Sequence, residues 1–411
     1  MEVFETENEF GRGVVKSWAS ILDDNTREQA ERISRVPVVE GHLALMPDAH
    51  FGYGPPVGSA LKTRNAVMPY AVGVDIGCGM IAVQTALHRS ELEGREGHVL
   101  QSIRELIPSG VGKGREEEAA AWYSFVNEHG YPPGVDNKFI VEAARQRHHE
   151  TDGQVRDDLM KRARLQFATL GAGNHFVEVC YELGTFEVWL VLHSGSRGIG
   201  NALATAHHKL SQESCQRARV ALESPEFSYF AKGSPSFDDY IADMLWCQNY
   251  AFAQREEMMN RLRFSVSLGV RHEVHEVQRI NCHHNYAEEL EPGLWLTRKG
   301  AINAEVGRMG IIPGSMGALT YIVVGRGEPE SYQTSPHGAG RMMSRGAARK
   351  TLDLGDFKAQ MQDKTWLDRD AEKLLDEAPA AYKPIDTVIA DSRELVTPTA
   401  KLTQIINYKG L

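Results

Sequence analysis

The segment FEVWLVLHSGSRGIGNALATAHHKLSQESCQRARVAL, residues 186–222, decides the expected fold, because it joins two kinds of secondary structure directly. Its first part, FEVWLVLHS (186–194), is rich in β-branched and aromatic residues and has the length of a strand. After the glycine-rich turn HSGSRGIG (193–200), apolar residues over 201–222 recur at three- and four-residue steps and predict a helix. A strand that leads through a glycine turn into a helix indicates a mixed α/β protein.

The same two patterns recur further along the chain. FDDYIADMLWCQNYAFAQREEMMNRLRFSV (237–266) shows helical periodicity and predicts a long helix. GLWLTRKGAI (293–302) and ALTYIVVG (318–325) have the composition and length of strands. The glycine-rich motifs therefore lie at strand ends and in loops, where functional sites commonly form.

No internal repeat or long linker divides the sequence, and its distinctive motifs are spread from about residue 48 to residue 409. A cut into two domains would split these motifs, so we expect one large mixed α/β domain over residues 1–411. The charge-rich stretches 89–118 and 141–164 predict solvated helices or an insertion, and IPSGVGKGREEEA (107–119) predicts an exposed loop.

Composition restricts the class of protein. Lysine and arginine total 45 against 55 aspartates and glutamates, which is a formal net charge of −10. This charge gives no global attraction to phosphate, so a nucleic-acid partner would need a local basic site. An apolar fraction of 42% with 24% charged residues is typical of a globular chain and excludes a disordered or fibrous one.

Signals for export and membrane insertion are missing from the sequence. No apolar stretch approaches the roughly 20 residues of a membrane span, and the acidic start MEVFETENEF lacks a signal-peptide pattern. The 5 cysteines are an odd number without a disulfide spacing. We therefore expect a cytoplasmic protein with no membrane partner.

Glycine is enriched, with 38 residues of 411, and the glycine-dense motifs fall in six short clusters along the chain. Clusters of this kind mark backbone at positive φ or backbone pressed against a ligand. The clusters are PDAHFGYGPPVGS (47–59), AVGVDIGCGM (71–80), LGAGNHFVE (170–178), HSGSRGIG (193–200), GAINAEVGRMGIIPGSMG (300–317) and SPHGAGRMMSRG (335–346).

Several of these clusters carry metal-binding side chains. Asp75 and Cys78 lie three apart in one glycine turn, His175 follows a GAGN turn, His193 ends a predicted strand, and a histidine pair occupies 283–284. Taken singly, each histidine is more often structural than a ligand. Together the donors exceed the four ligands of a structural zinc site and suit two neighbouring metals with a shared ligand. The thiolate favours zinc, whereas carboxylate and imidazole also bind manganese or iron. The residues therefore leave the identity of the metal open.

Other clusters suit an anion. The small-residue turns PGSMG (313–317) and HGAGR (337–341) can expose several backbone N–H groups, although neither is a Walker or dinucleotide motif. His337 stands between proline and Gly-Ala-Gly, and its open imidazole could attack phosphorus, bind a ligand or be structural. The arginines of the glycine loops, whose forked cations match phosphate or form surface ion pairs, are Arg197, Arg341 and Arg345.

The whole set of motifs resembles the RtcB family of GTP-dependent RNA ligases, over nearly the whole chain. The motifs, in order, are MPDAHFGYG, VGVDIGCGM, GAGNHFVE, LHSGSRGIGN, CHHNY, RKGA, PGSMG and HGAGRMMSR, with a Lys-Gly near the end. The resemblance implies one mixed α/β domain with β-sheets flanked by helices around a metal-centred cleft. It also implies an enzyme that joins RNA 3′-phosphate or 2′,3′-cyclic phosphate ends to 5′-hydroxyl ends with GTP and Mn²⁺.

The resemblance further implies a histidine–GMP and an RNA-(3′)pp(5′)G intermediate, in RNA repair or tRNA splicing, by a monomer that an archease-type protein could activate. His337 would be the guanylylated nucleophile. Two Mn²⁺ ions, bridged by the Cys78 thiolate, would be held by Asp75, Cys78, His175, His193 and His284. The RNA contacts would be Arg197, which binds the terminal phosphate, Arg341 and Arg345.

The GTP site implied by the resemblance draws on four of the motifs, on Thr320 and on the Lys-Gly near the end. Its residues would be Asn174, His175, Phe176, Val177, Glu178, His284, Asn285, Pro313, Gly314, Ser315, Met316, Thr320, His337, Gly338, Ala339, Gly340 and Lys409. Family members often have serine where Thr320 stands.

Two alternatives stay open from the sequence. A dinuclear metal phosphoesterase would use the metal donors without His337, and a non-catalytic RNA-binding paralogue would use neither. The motifs do not assign roles to Asp48, His50 or His283, and they leave the physiological RNA undefined.

Overall fold

A computed structural model describes residues 1–115, 119–147 and 149–411 of the chain. The strands are β1 (Glu2–Asn8), β2 (Gly11–Ser17), β3 (Val39–His50), β4 (Val57–Arg64), β5 (Ala66–Val67), β6 (Gly79–His88), β7 (Phe176–Glu182), β8 (Glu187–Ser194), β9 (Phe230–Ala231), β10 (Glu276–His283), β11 (Asn285–Glu291), β12 (Leu294–Lys299), β13 (Ala301–Asn303), β14 (Met309–Pro313), β15 (Thr320–Gly325), β16 (Thr334–Pro336) and β17 (Val396–Lys409). The α-helices are α1 (Asp24–Ser34), α2 (Pro69–Val72), α3 (Glu96–Leu106), α4 (Ala120–His129), α5 (Lys138–Ala144), α6 (Asp152–Leu165), α7 (Arg197–Arg217), α8 (Pro235–Val270), α9 (Arg345–Thr351), α10 (Leu354–Gln360), α11 (Ala371–Leu374) and α12 (Ile385–Asp391).

The mixed α/β prediction is confirmed, and the segment that opened the sequence analysis forms β8 and α7. The helix starts at Arg197, four residues earlier than predicted. The reason is that the glycines of the GIG run pack tightly rather than form a loop. A Cβ on Gly200 would lie 1.8 Å from the Ser196 hydroxyl oxygen, and one on Gly198 would lie 2.6 Å from Gln166 Oε1.

The other predicted elements are present with shifted ends. The helix predicted over 237–266 is α8, and the strand predicted over 318–325 is β15. The strand predicted over 293–302 is divided into β12 and β13 at Gly300, which has a φ of +60°. That value lies in the left-handed region, which interrupts a strand and which glycine adopts readily.

The charge-rich stretches contain helices, as the composition indicated. Residues 96–106 form α3 and residues 152–165 form α6. In the loop predicted over 107–119, Val111 is 83% exposed. Residues 116–118 and 148, which belong to these predicted stretches, lie outside the described residues.

Two large sheets make up the centre of the described structure. One has six strands in the order β1-β2-β3-β4-β12-β11, and the other has seven in the order β10-β6-β8-β7-β17-β15-β14. The pairs of the seven-stranded sheet are antiparallel. Its two edge strands approach each other, since Gln278 of β10 hydrogen-bonds Met309 of β14, so the sheet is nearly closed.

Alternating side chains on the seven-stranded sheet belong to two different cores. On β6, Ile81 and Val83 pack against the helical layer that includes α7 and α8. Met80 and Ala82 face the opposite way and pack with residues of the six-stranded sheet, such as Met46. Successive side chains of a strand point to opposite faces, so a strand that is buried on both faces is apolar at nearly every position, as β6 is from Met80 to Val83. The sheet is therefore held between helices on one face and the second sheet on the other.

None of the helices formed by the described residues is both long and apolar enough to span a bilayer. The expectation of a single domain over residues 1–411 stays a prediction.

Candidate active site

The register of the seven-stranded sheet brings several strand ends to one edge. Gly79 of β6 pairs with His283 of β10, and Phe176 of β7 pairs with both His193 of β8 and Lys409 of β17. Residues that flank these pairs in sequence consequently lie close together in space. The flanking residues with metal-binding side chains are Cys78, His175 and His284.

The predicted metal donors meet at this edge. Cys78 Sγ lies 3.5 Å from His175 Nε2 and 3.2 Å from His193 Nε2. Asp75 Oδ2 lies 2.9 Å from His175 Nε2, and His284 Nε2 lies 2.9 Å from His193 Nε2. The ligand atoms of Cys78, His175 and His193 are all within 4.8 Å of one another.

Backbone carbonyls determine which imidazole nitrogen faces this cluster. His175 Nδ1 lies 2.9 Å from the Leu170 carbonyl oxygen, and His193 Nδ1 lies 3.1 Å from that of Asn174. Because a carbonyl only accepts, each Nδ1 carries the hydrogen and each Nε2 turns a lone pair toward the cluster. Burial lowers the pKa of His193 well below its usual value, so this ring is neutral. Metal-binding histidines are oriented in the same way.

The donor set fits a metal ion. Ligand atoms about 2.1 and 2.3 Å from one ion in a tetrahedral arrangement are about 3.6 Å apart, which is close to the two sulfur–nitrogen separations at Cys78. Two imidazole lone pairs at 2.9 Å, as between His193 and His284, repel unless a cation or proton lies between them. A thiolate, a carboxylate and imidazoles are ligands of zinc, manganese and iron. These side chains can therefore hold a metal.

The first histidine of the 283–284 pair is engaged elsewhere. His283 Nδ1 lies 2.8 Å from the Gly77 carbonyl oxygen and 3.1 Å from a guanidinium nitrogen of Arg255. Arg255, fully buried on α8, also donates to the carbonyls of Gly77 and Ser194 at 2.8 and 3.0 Å. This arginine ties the turn before β6 to the end of β8, and so holds two parts of the cluster together.

His337 lies beside the cluster, directly after β16. Its ring centre is 4.5 Å from that of His284. Its Nδ1 is 2.7 Å from Oδ2 of Asp48, a carboxylate on β3 with 0% exposure. The same oxygen accepts the backbone N–H groups of His337 and Gly338, each at 3.2 Å. With Asp48 as acceptor, Nδ1 carries the hydrogen and Nε2 keeps its lone pair.

The strand segment around Asp48 is itself held by a buried lysine. Lys383 Nζ donates to the carbonyls of Pro47 and Ala49 at 2.9 and 2.7 Å. His50 Nδ1 lies 2.9 Å from the carbonyl oxygen of Asp48, and burial lowers the pKa of His50 to about 4. Lys383 therefore positions the backbone that presents Asp48, while His50 is a neutral ring.

A cavity of about 450 Å³ opens at His337, and we call it the His337 cavity. It contains most of the residues that the sequence assigned to GTP. Those that line it are Asn174, Phe176, Glu178, His284, Asn285, Pro313, Gly314, Ser315, Met316, His337, Gly338, Ala339, Gly340 and Lys409. The structure adds Glu377 and Tyr382, which the sequence motifs did not indicate.

Three residues of the predicted GTP set do not line this cavity. Side chains alternate along β7, so Phe176 and Glu178 reach the cavity while Val177 packs into the core beneath the helices. Thr320 is paired with Pro313 between adjacent strands and is 1% exposed. The third residue, His175, lines a second cavity, which borders the same metal cluster.

The cations of the His337 cavity already have partners. Lys409 Nζ lies 2.7 Å from a carboxylate oxygen of Glu377, and Arg345 also pairs with Glu377. Burial alone would raise the pKa of Glu377, but Lys409 and Arg345 lower it to about 2. Arg341 donates to the Tyr382 hydroxyl at 2.7 Å. Two of the three predicted RNA contacts, Arg341 and Arg345, thus belong to the wall of this cavity.

Glu178 is a buried acceptor in the same cavity. Its Oε1 accepts from the amide groups of Gln404 and Asn407 at 2.9 and 2.8 Å. Burial raises the pKa of Glu178 to about 8, against the opposing charge of Lys409. A ligand with N–H donors would find an acceptor here.

The second cavity has a volume of about 790 Å³, and we call it the Arg197 cavity. It shares Asp75 and Asn174 with the His337 cavity. Arg197 has a φ of +60°, and its Nε donates to the Thr169 hydroxyl at 3.3 Å. A Cβ on Gly171 would lie 2.0 Å from the guanidinium, so this glycine makes room for it. The three predicted RNA contacts are therefore distributed over two cavities.

Asp48, Arg255 and Glu377 are residues of the site to which the sequence assigned no role. Asp48 lies in the MPDAH motif, which signalled a site without showing what the carboxylate contacts. Arg255 lies within an ordinary helical pattern, and Glu377 lies in a short turn far from any motif. Only the tertiary structure brings Arg255 and Glu377 to the cluster and the cavity.

The chain is similar in sequence to proteins of one family over nearly its whole length. The family model described as tRNA-splicing ligase RtcB matches residues 29–410. RNA-splicing ligase RtcB1 from one Escherichia coli strain is 38% identical over 100% of this chain and 99% of its own length. RNA-splicing ligase RtcB from Escherichia coli K12 is 37% identical with the same coverage. The tRNA-splicing ligase RtcB of Nanoarchaeum equitans is 29% identical over 91% of this chain and 88% of its own length.

Proposed function

The chain belongs to the RtcB family, and we propose that it is a GTP- and Mn²⁺-dependent RNA ligase that uses His337 as its nucleophile. It joins RNA ends carrying a 3′-phosphate or 2′,3′-cyclic phosphate to 5′-hydroxyl ends, in RNA repair or tRNA splicing. The observation that carries this proposal is the position of His337. The ring contacts His284 of the metal-donor cluster and opens into the His337 cavity, and Asp48 accepts its Nδ1–H.

Asp48 prepares His337 for attack on phosphorus. By accepting the Nδ1–H, the carboxylate keeps the Nε2 lone pair free and stabilises the charge that the ring gains when it forms a bond. The same contact orients the ring toward the cavity. Metal ions held by the donor cluster at Cys78 supply positive charge that draws electron density from phosphate oxygens.

The His337 cavity suits GTP. Guanine has N–H donors on one edge, and Glu178 is an acceptor at the cavity wall. The turns 313–316 and 338–340 line the cavity, and the backbone N–H groups of Ser315, Met316, Ala339 and Gly340 are of the kind that cradle phosphate. The N–H groups of Gly314 and Gly338 are already used within the protein. Lys409 and Arg345 bring two cations to this cavity, where both pair with Glu377.

The proposed reaction has three displacements. First, Nε2 of His337 bonds to the α-phosphorus of GTP and pyrophosphate leaves. Next, an oxygen of the RNA 3′-phosphate bonds to that phosphorus and Nε2 leaves, which gives RNA-(3′)pp(5′)G. Finally, the 5′-hydroxyl oxygen bonds to the RNA phosphorus, loses its proton, and GMP leaves. Water opens a 2′,3′-cyclic phosphate beforehand, so the phosphate already on the RNA becomes the new linkage.

A sealing assay with labelled RNA tests the proposal. One RNA carries a radiolabelled 3′-phosphate, the other a 5′-hydroxyl, and the protein is supplied with GTP and Mn²⁺. We expect a joined product that retains the label and resists phosphatase, and none from His337→Ala.

The same assay separates the alternatives. Release of the label as inorganic phosphate, at equal rates in wild type and His337→Ala, would identify a metal phosphoesterase instead. Binding of the RNA without joining or release would identify a non-catalytic RNA-binding protein.

A further inference from the structure

Part of the His337 cavity is lined by residues that belong neither to the metal-donor cluster nor to the predicted GTP set. We call them the aromatic wall, and they are His50, Tyr53, Tyr70, Val74, His208 and Lys299. The wall is continuous, because Lys299 Nζ donates to the carbonyls of both Tyr53 and Tyr70. It also reaches the metal-donor cluster, since Val74 directly precedes Asp75, which lines both cavities.

The aromatic wall offers no free cation to an anion. Lys299 has three N–H donors, and three backbone carbonyls accept them. The acceptors are Tyr53, Pro55 and Tyr70. His50 and His208 are neutral rings, because burial lowers the pKa of each to about 4. The wall therefore suits an uncharged group rather than a phosphate.

Two tyrosines give the wall its surface for stacking. The Tyr70 ring stacks on the His208 ring with centroids 3.7 Å apart, and Gln212 donates to the Tyr70 hydroxyl at 3.1 Å. Tyr70 is thus held in place with one face covered. Tyr53 is 79% exposed, and its side chain makes no hydrogen bond or ring contact with the residues that the structure describes. The face of Tyr53 is available to a planar group that enters the cavity.

The loop that carries Tyr53 is fixed by its backbone. Gly52 N–H donates to Gln29 Oε1 at 3.2 Å, and Gly54 N–H donates to a Glu226 carboxylate oxygen at 2.6 Å. Neither contact uses the Tyr53 side chain. The tyrosine is consequently presented at a defined place, and its ring can be removed without releasing the loop.

Building on the proposed ligase function, we propose that the aromatic wall binds the base of the RNA nucleotide that carries the 3′-phosphate, with Tyr53 stacked on that base. Stacking on tyrosine accepts RNA ends of any sequence, because every base has a π-face. The 3′-phosphate must reach the phosphorus on His337, and the wall borders this histidine. A Cβ on Gly300, next to Lys299, would lie 3.0 Å from His337 Cε1. The uncharged base lies on the neutral wall while its phosphate extends toward the metal-donor cluster.

A single-turnover assay of the second displacement tests this proposal. The protein is first loaded with labelled GMP on His337, freed of GTP, and then mixed with increasing amounts of RNA that ends in a 3′-phosphate. One RNA has a normal 3′-terminal nucleotide, and the other lacks the base of that nucleotide. Loss of one stacked base weakens binding by roughly 5- to 150-fold. We expect wild type to need a correspondingly higher concentration of the abasic RNA for half-maximal transfer of GMP.

Two substitutions identify the stacking surface. Tyr53→Ala should require as much normal RNA as wild type requires of the abasic RNA, and it should no longer distinguish the two. Tyr53→Phe keeps the ring and should behave as wild type does. Discrimination of the wild-type size in Tyr53→Ala would overturn the proposal.

Phe51→Ala is the matched control. Phe51 lies on the same loop, is 62% exposed and does not line the cavity. This variant should distinguish the normal from the abasic RNA as wild type does. If Phe51→Ala and Tyr53→Ala lose the same amount of discrimination, Tyr53 has no specific role and the proposal is wrong.

Two further measurements separate other occupants of the aromatic wall. If the wall held the guanine of GTP, Tyr53→Ala would slow the labelling of His337 in the absence of RNA. If it held the first base of the 5′-hydroxyl strand, removing that base, and not the 3′-terminal one, would cancel the effect of Tyr53→Ala on joining. Either result would overturn the assignment to the 3′ end, and we expect neither.

Failure of this inference is distinguishable from failure of the proposed function. If wild type labels His337 and joins RNA ends but treats normal and abasic 3′ ends alike, only the role of the aromatic wall is wrong. If wild type neither labels His337 with GMP nor joins RNA ends, the proposed function is wrong as well.

Discussion

His337 has a single nitrogen available as a nucleophile, because the other donates to Asp48. Asp48 accepts two backbone N–H groups with the same oxygen, so it fixes the turn as well as the ring. A glycine is required beside it, since a Cβ on Gly340 would lie 2.1 Å from the Asp48 carbonyl oxygen. At the scale of residues, the proposed chemistry depends on this pair.

Asp48→Asn should slow the labelling of His337 by GTP. Asparagine has the same shape but no charge, and it stabilises the wrong imidazole tautomer when its amide donates. We expect a rate lower by roughly 10²- to 10⁴-fold, measured in a single turnover with α-labelled GTP. Thermal unfolding of the same variant controls for a folding defect, and a wild-type labelling rate would contradict the role assigned to Asp48.

Cys78→Ala should lose bound metal, because it removes a donor that lies within 3.5 Å of two histidine nitrogens. Metal affinity should fall by at least about tenfold, measured as metal content after dialysis. Cys215→Ala is the matched control, since this cysteine is also buried but lies on α7, where its sulfur contacts Tyr229. Equal metal content in the two variants would count against a ligand role for Cys78.

At the scale of elements, the turn between β8 and α7 aligns the metal cluster. Ser196 N–H donates to Asp75 Oδ1 at 2.9 Å, so the start of α7 holds a carboxylate of the neighbouring loop. Gly195 lies against that carboxylate, and a Cβ there would be 2.2 Å from Oδ1. The glycine therefore serves close packing against Asp75.

Gly195→Ala should displace Asp75 and lower both stability and metal affinity. Overpacking of this kind costs about 1 to 3 kcal/mol, read as a lower unfolding temperature together with reduced metal content. Gly97→Ala is the control, because Gly97 is helical and a Cβ there meets nothing within 4 Å. That variant should keep its metal and gain about 0.5 to 1 kcal/mol from helix propensity. Normal metal content in Gly195→Ala would refute the packing argument.

The elements show how far the sequence determines the fold. Periodicity predicted α8 and β15 because each pattern is long and regular. It misplaced the start of α7, since a glycine that packs against a helix and a glycine that turns the chain look alike in sequence. The sheet order could not be predicted, because the pairing of β17 with β7 joins segments from distant parts of the chain.

The sequence also predicts only part of the site. The motifs predicted which side chains would gather, and the structure brings Cys78, His175 and His193 together. It does not bring Arg197 and Arg345 into one cavity. Sequence motifs identify chemical groups, but only the packing of the chain determines which of these groups line the same cavity.

At the scale of the whole molecule, the net charge of −10 limits how RNA can be held. An excess of acidic residues gives no general attraction for RNA, so under the proposed function RNA binding depends on local cations and on the metal site. The burial of charged groups in the two cavities also makes stability depend on pH.

Glu178 should make the folded chain less stable as the pH rises. Its pKa is 4.5 in an unfolded chain and is raised to about 8 by burial in the folded one. Between these values the unfolded chain has released the proton that the folded chain keeps, so rising pH favours unfolding, with no further change above about 8. The unfolding temperature of wild type relative to Glu178→Gln should therefore fall across this range.

The control for this comparison is Glu289→Gln, which changes an exposed carboxylate on the edge strand β11. The difference in unfolding temperature between wild type and Glu289→Gln should stay constant across the same pH range. A constant difference between wild type and Glu178→Gln across the range would mean that Glu178 titrates normally.

The most direct test of the ligase assignment is the transfer of GMP to His337. The protein is incubated with α-labelled GTP and Mn²⁺ without RNA, and the modified residue is located by mass spectrometry of the peptides. The account predicts an acid-labile GMP adduct on His337 that disappears when RNA with a 3′-phosphate is added and is missing from His337→Ala. No adduct on wild type, or an adduct that persists in His337→Ala, would contradict it.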